Sequence, residues 1–486
     1  MSDKNDDVTL DPEDWDKLRE LGHKIVDDML AYQQTIRQQP FNYPTEEAIK
    51  KLKVPLPEEG EGEEAVYKLM KEHFLPYTLK MTRPDFWGWV LGTGSPFGAL
   101  VQLFSAGMNY GDEPWLIGQH VINQSLDWIK EMVDYPLDSS GVFLSGGSEA
   151  NFTGLAVARN TMAEIDVKSM GMQQAPHYMT LYCSDQAHDC LDKSIELLGF
   201  GNDALRWVPT NDEYQMDMKK LEKAIKEDKA EGYHPFCVIG TAGSVNLGSF
   251  DDLNAIADLC ERENLWFHLD AAFGAWVKLS PTHRHLVSGL ERADSVAIDL
   301  HKWMNMEYTI ACTLVRDRLA HASTFVYGHG AEYLQSGLDI LEQVNPFNLN
   351  LALTRPTYGM RAYMLLRAYG MKRYQQLVQK NIEQIKYLGD LIQKTPKVEL
   401  VFPIISNVAC FRYVDAGLSE SDLEQLNKAV LGKIWEVNFG MISDTTVHGR
   451  YVLRACNVNH RSREQDFDKL VDYVVKFGDD LVKEYR

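Results

Sequence analysis

The sequence predicts an α/β fold: a mostly parallel central sheet covered by helices, a helical segment before it and a smaller α+β domain after it. Three observations carry this expectation. Short apolar runs lie at 141–144, 178–183, 206–208, 236–241, 265–269, 295–299 and 309–315. Helix-patterned stretches, such as 149–163 and 253–263, separate most of them. The chain has 486 residues, more than one ordinary core holds, so two or three units are expected. Strands alternating with helices imply crossover units, which bury both faces of a sheet.

In chain order, residues 1–10 read as a polar tail. Asp11-Pro12 offers an N-cap and a proline at the first helical position. Trp15, Leu18, Leu21, Ile25 and Met29 follow at helical spacing and form one apolar stripe, suited to another subunit or to the chain's own core. The stretch 54–64 has two prolines, two glycines and five glutamates and reads as an exposed linker. Residues 1–64 are therefore expected to form an N-terminal helical dimerisation segment, and 65–354 the large α/β domain. Residues 355–486 read as the small domain, with a helix from Pro356 on, a second at 374–392, strands near 398–402, 409–414 and 451–456, and helices at 419–431 and 464–485.

Composition narrows the partners. Hydrophobic residues make up 45% and charged residues 24%, an ordinary globular balance. The formal charge of −21 argues against nucleic acid or an anionic membrane as the main partner, because both are polyanions. The seven cysteines are scattered, with no Cys-x-x-Cys pair, which fits reduced thiols in a cytoplasmic protein. The acidic start Met-Ser-Asp-Lys-Asn-Asp-Asp does not resemble a secretory leader, and no run of 18 apolar residues occurs.

Four groups could carry chemistry, each just after a strand-like run. Ser145-Gly146-Gly147-Ser148 leads from an apolar run into a helix, so backbone N–H groups and the Ser148 hydroxyl could hold a phosphate. The alternative there is an ordinary capped turn. His188, in Asp185-Gln186-Ala187-His188, could stack on a flat ring, or it could be a surface histidine. Asp270, in Phe267-His268-Leu269-Asp270-Ala271-Ala272, is costly to bury unless a positive group meets it. Small Ala272 would let a planar ring approach the backbone. Lys302, in His301-Lys302-Trp303, is expected to have a depressed pKa, although a lone lysine more often keeps its head in water.

An acid that protonates a pyridine nitrogen and an amine that condenses with an aldehyde are the two groups a pyridoxal 5'-phosphate (PLP) enzyme requires. The order phosphate turn, histidine, aspartate, lysine would bring all four to one sheet edge. A metal reading through His268, Asp270, His283, His285 and His301 lacks any local ligand motif, so no metal is expected.

These residues resemble the group II PLP-dependent decarboxylases, in particular the aromatic-L-amino-acid decarboxylase branch. The likeness runs from about residue 12 to the C-terminus, strongest at 145–159, 184–188, 235–277 and 293–303. The resemblance implies PLP fold type I and a homodimer with active sites at the subunit interface. It makes Lys302 the Schiff-base lysine, Asp270 the pyridinium partner and His188 the residue stacked on the ring, with Ala272 on the opposite face. Gly147, Ser148 and His301 match phosphate-neighbourhood positions. The segment 83–94, with Phe86, Trp87 and Trp89, resembles the substrate-pocket segment, and Arg83 keeps acidic substrates in view.

Three departures qualify the likeness. Asp299 stands where animal relatives have an asparagine near the phosphate, so it should point away or be neutralised. Val245 replaces a threonine. The loop 328–352 aligns poorly, and Tyr333 and Phe347 both stand near the place of the proton-donating loop tyrosine. The expected activity is decarboxylation of an L-amino acid, aromatic by the resemblance, to the amine. The alternative is an oxygen-consuming aldehyde synthase, which carries phenylalanine in that loop; a catalytically inactive interaction protein on this fold is the remote third reading.

Overall fold

Parallel strands cannot be joined by tight turns, and the helix-length spacers between the apolar runs supply the crossovers they need. The computed structural model describes residues 9–111, 117–326 and 348–486. Its large sheet contains β1 (Ser140–Leu144), β2 (Met179–Ser184), β3 (Leu205–Val208), β4 (His234–Thr241), β5 (Trp266–Asp270), β6 (Ser295–Asp299) and β7 (Ala311–Val315). The order is β1-β7-β6-β5-β4-β2-β3. Strands β3, β2, β4, β5 and β6 pair in parallel. Strand β7 runs antiparallel to β6 and β1, because the short 300–310 loop reverses the chain without a crossover helix.

Side-chain alternation assigns the two faces. Phe267 and Leu269 of β5, with Val296 and Ile298 of β6, join one buried cluster that includes Leu253, Ile256 and Trp276. Trp266 joins another, with Leu155 of the helix Gly147–Met162. Period two therefore directs Asp270 and Asp299 to the face that carries this helix. Burial of each Leu, Ile or Phe here contributes about 1.5–3 kcal/mol.

A second sheet holds β8 (Val398–Leu400), β9 (Val408–Tyr413), β10 (Ser443–Val447) and β11 (Arg450–Cys456), all antiparallel, in the order β10-β11-β9-β8. Strand β10 escapes the sequence reading because Ser443-Asp444-Thr445-Thr446 is polar. Its signal lies in the turn, where His448 and Gly449 both have positive φ and join β10 to β11 as a hairpin. The two helices expected after Pro356 lie within Tyr358–Lys394, interrupted at Gly370 (φ 72°, ψ 155°).

The chain divides into two compact units, Met1–Pro84 and Asp85–Arg486, and both sheets lie in the second. In the first unit the helix spans Trp15–Gln34 rather than starting at Pro12. Asp14 is the cap: its carboxylate accepts from the backbone N–H groups of Asp16 and Lys17, which leaves Asp11-Pro12 in the lead-in. No residue of this helix is buried, and Trp15 is 60% exposed. Among the described residues, no helix is long and apolar enough to cross a membrane.

Candidate active site

The carboxyl ends of β5 and β6 lie side by side, with Asp270 opposite Ala297 in the register. Beyond them, Asp299 N–H donates to the Ala272 carbonyl (2.8 Å), so the segments after the two strands stay stitched together. Asp270 is buried, and its Oδ1 accepts from Ala272 N–H at 3.1 Å. The helix Gly147–Met162 begins nearby with Gly146 as N-cap, which offers no side chain to its first N–H groups. A Cβ on Gly147 would lie 2.9 Å from Asp299 Oδ2 and 3.5 Å from Ala272 Cβ. Only glycine lets the helix start sit this close to the ends of β5 and β6.

Lys302 extends into the same place. Its Nζ lies 2.6 Å from Asp299 Oδ2, with the lysine side chain 21% and the aspartate side chain 1% exposed. Burial pulls the Lys302 ammonium down, but the Asp299 charge and hydrogen bond, aided by Asp270, outweigh it and leave the pKa raised. The depressed pKa expected from depth alone is therefore corrected: the lysine is deep, but it has a carboxylate in contact. Asp299 does not point away from the glycine turn. Lys302 neutralises it, while its other oxygen, Oδ1, is buried without a hydrogen-bond partner among the described residues.

His301 frames this pair. Its Nε2 is 3.9 Å from Asp299 Oδ2, and its Nδ1 lies 2.8 Å from the Ile310 carbonyl. Burial is the main cause of its lowered pKa. Ser148 is exposed at the helix start, and His188 is exposed on its loop, where Nδ1 accepts from Cys190 N–H at 3.0 Å. The Cys190 thiol links the groups electrostatically. Burial and then Asp270 push it up to about 12, with Lys302 and Ser148 among the opposing influences. His268 is spent on structure, with Nδ1 2.7 Å from Ser295 Oγ and Nε2 2.9 Å from Asn151 Oδ1.

The 83–94 segment distributes differently. Phe86 and Trp87 are buried, and Trp87 stacks on Phe467 with its indole N–H donating to Ser462 Oγ. Trp89 is 47% exposed, at a positive φ of 51°. Arg83 belongs to the first unit, where it donates to the Gln39 carbonyl and lies over the Phe41 ring. Tyr333 and Phe347 lie outside the described residues.

Two residues stand out that the sequence reading passed over. A Cβ on Gly92 would fall 2.0 Å from the His301 carbonyl oxygen and 2.4 Å from that of Lys302, so this glycine lets the lysine turn pass. Arg454, buried in β11, donates from Nη1 to the Trp89 carbonyl (2.9 Å) and from Nε to the Asn246 carbonyl (2.9 Å). Its Nη2 is buried and has no hydrogen-bond partner among the described residues. The signal was a lone arginine in the apolar run Val452-Leu453-Arg454-Ala455-Cys456, where a charge is costly unless it is used.

An uncapped helix start, a carboxylate and a lysine at adjacent strand ends, small residues between them and an orphaned buried oxygen form a cradle that fits PLP. The profile of the Pyridoxal-dependent decarboxylase conserved domain matches residues 105–414. The chain is 26% identical over 477 residues to an aromatic-L-amino-acid decarboxylase of Bacillus atrophaeus, covering 97% of each protein. It is 25% identical to a phenylacetaldehyde synthase of Arabidopsis thaliana, covering 92% of each. The fold matches the solved Oryza sativa TDC with PLP and tryptamine at a TM-score of 0.89 and 23% identity, covering 97% of this chain and 100% of that one.

Proposed function

Because the chain belongs to the pyridoxal-dependent decarboxylase family, we propose that it removes the α-carboxylate of an aromatic L-amino acid as carbon dioxide and releases the amine. The observation that carries this reading is Lys302 Nζ paired with Asp299 at the end of β6, with buried Asp270 at the neighbouring end of β5 and the Gly147 helix start close to Asp299. The aromatic preference draws on the names of the relatives and on the exposed Trp89.

PLP supplies the electron sink for the pair left behind when the Cα–carboxylate bond breaks. Lys302 Nζ is the amine that would hold the cofactor's aldehyde carbon. Asp270 keeps a proton on the pyridine nitrogen, since a buried anion raises the pKa of a base beside it. Gly147, Ser148 and His301 would hold the phosphate, and His188 and Ala272 would flank the ring. Asp299 Oδ2 keeps the Lys302 proton until condensation requires a neutral amine. Phe86 and Trp89 shape the substrate side, where Arg454 holds the Trp89 carbonyl.

The protein is read as a cytoplasmic homodimer. The exposed stripe of Trp15, Leu18 and Met29 supports residues 1–64 as the dimerisation segment, with 65–354 and 355–486 as the large and small domains. All seven cysteines are free and buried, which suits a reducing compartment. Trp15→Lys with Leu18→Lys should lower the mass measured by light scattering to that of one chain. An unchanged dimer mass would remove this role from the helix.

Incubation with tyrosine, dopa, tryptophan, phenylalanine, histidine and glutamate in turn tests the activity. Carbon dioxide and amine in equal amounts, from an aromatic substrate, is the expected result. Stoichiometric peroxide and ammonia would move the chain to the oxygen-consuming outcome of aldehyde synthases. Turnover of glutamate alone would refute the aromatic preference.

A further inference from the structure

A second cavity, of about 420 Å³, lies behind the lysine turn. Pro96, Met304, Tyr369, Tyr374 and Leu377 give it an apolar and aromatic lining, and among the described residues Arg373, Lys380 and His460 are its ionisable groups besides the tyrosines. Cavities of about 300–1,000 Å³ with an apolar lining and a few polar groups are the usual form of small-molecule sites.

Its charge is unusual for this chain, which carries 70 acidic and 49 basic residues. Among the described residues, no carboxylate lines the cavity. Among the described residues, neither Arg373 nor Lys380 forms an ion pair. Arg373 instead lies over the Tyr369 ring, 5.6 Å from its centroid, and Lys380 Nζ donates to the His460 carbonyl at 3.1 Å. Burial, then Arg463, lower the Lys380 pKa, with Asp466 opposing. His460 Nε2 lies 2.8 Å from the Gly94 carbonyl, and burial holds its pKa down at about 4, so it is neutral near pH 7. The neighbouring Glu307 engages Ser95 through Oε1, which accepts from its N–H at 2.7 Å and lies 3.2 Å from its hydroxyl, while Oε2 is buried without a hydrogen-bond partner among the described residues.

The wall of the cavity leads back to the candidate active site. Asn305 N–H donates to the Lys302 carbonyl at 3.2 Å, and Asn305 has a positive φ of 53°. The Asn305 side chain accepts from Thr93 and donates to the Trp303 and Val458 carbonyls. Whatever touches Met304 and Asn305 therefore bears on the turn that carries Lys302.

We propose that this cavity is a second ligand site, for a small monocarboxylate with an aromatic body. Its carboxylate is taken by Arg373 and Lys380, and its ring lies among Met304, Tyr369, Tyr374 and Leu377. The ligand alters turnover through the Met304-Asn305 wall, and this effect alone rests on the reading of Lys302 as the cofactor lysine.

Calorimetric titration of the purified full-length protein with 3-phenylpropionate tests the site without any need for turnover. Binding is expected at one site per chain, weakened at least about tenfold in Arg373→Gln/Lys380→Gln, as for loss of a charge-assisted contact. Leu377→Trp, which fills the cavity while keeping both cations, should abolish it. Circular dichroism and the unfolding midpoint identify any variant that fails to fold, and either the charge or the plug variant is sufficient. Absence of binding to the wild type would overturn the proposal, as would binding that folded variants of both kinds retain in full. In turnover assays, 3-phenylpropionate should lower kcat in the wild type and not in Leu377→Trp. Purely competitive inhibition, equal in both, would place the compound in the substrate site and overturn the effect on turnover.

Discussion

Asp299 Oδ2 lies 2.6 Å from Lys302 Nζ, and the aspartate that makes this contact is almost wholly buried. The two residues are three apart, one at the end of β6 and the other just beyond it. An ammonium held this way is a poor nucleophile, so the pair sets the pH at which Lys302 can react. The raised Lys302 pKa has the sign this contact demands.

Asp299→Asn should shift the pH dependence of cofactor loading, followed by visible absorbance, about one unit or more toward acid. Removing the carboxylate leaves burial opposed only by the smaller pull of Asp270 and Cys190 on the ammonium. A profile identical to wild type would mean that Asp299 does not govern the lysine proton.

Gly92→Ala is expected to be far more damaging than an ordinary surface change. The new methyl would fall on the carbonyl oxygens of His301 and Lys302, which are backbone atoms and cannot swing aside. A loss of about 2–4 kcal/mol in denaturant-measured stability is expected, with weaker cofactor retention. Wild-type stability and loading would contradict the close approach.

Arg454→Met removes the donors to the Trp89 and Asn246 carbonyls and keeps much of the side chain's bulk. Arg454 acts through Trp89 as a positioning residue, so KM for an aromatic amino acid should rise about tenfold or more while cofactor affinity stays near wild type. Equal losses in cofactor affinity and KM would indicate general collapse of the fold.

Three histidines with strongly lowered pKa values contribute to the acid side of stability. Burial holds His268 at about 3 and His321 and His460 at about 4, against an unfolded value near 6.5. The unfolded chain therefore takes up protons first as pH falls below about 6.5, and stability falls with it toward pH 4. Each histidine contributes a slope of up to about 1.4 kcal/mol per pH unit. Asp251, raised to about 6 by burial, has the opposite sign and offsets part of this between about pH 4 and 6. Urea unfolding from pH 7 to 5 should show the decline, with a shallower slope in His268→Gln.

The α/β architecture was legible because apolar runs and helix spacers repeat in a regular order, and all seven strands of the large sheet fall within three residues of their expected starts. Strand β10 was hidden by its polar composition. The Lys302 pKa was misjudged because depth can be read from flanking residues, whereas the direction of Asp299 cannot. Gly92 and Arg454 act across more than 200 and more than 360 residues of sequence, on the His301-Lys302 turn and on Trp89 respectively. No local pattern carries such contacts. The order of glycine turn, histidine, aspartate and lysine, each just after a strand-like run, pointed to one edge of the sheet, and that order is what made the candidate residues legible in the sequence.

The most direct measurement is chemical trapping of the cofactor. The protein is loaded with PLP, reduced with borohydride, digested and analysed by mass spectrometry. The pyridoxyl label is predicted on the peptide containing Lys302, and Lys302→Ala should lose the label together with the visible absorbance and the release of carbon dioxide. A label on another lysine, or undiminished turnover in Lys302→Ala, would contradict the assignment of Lys302 as the residue that holds the cofactor.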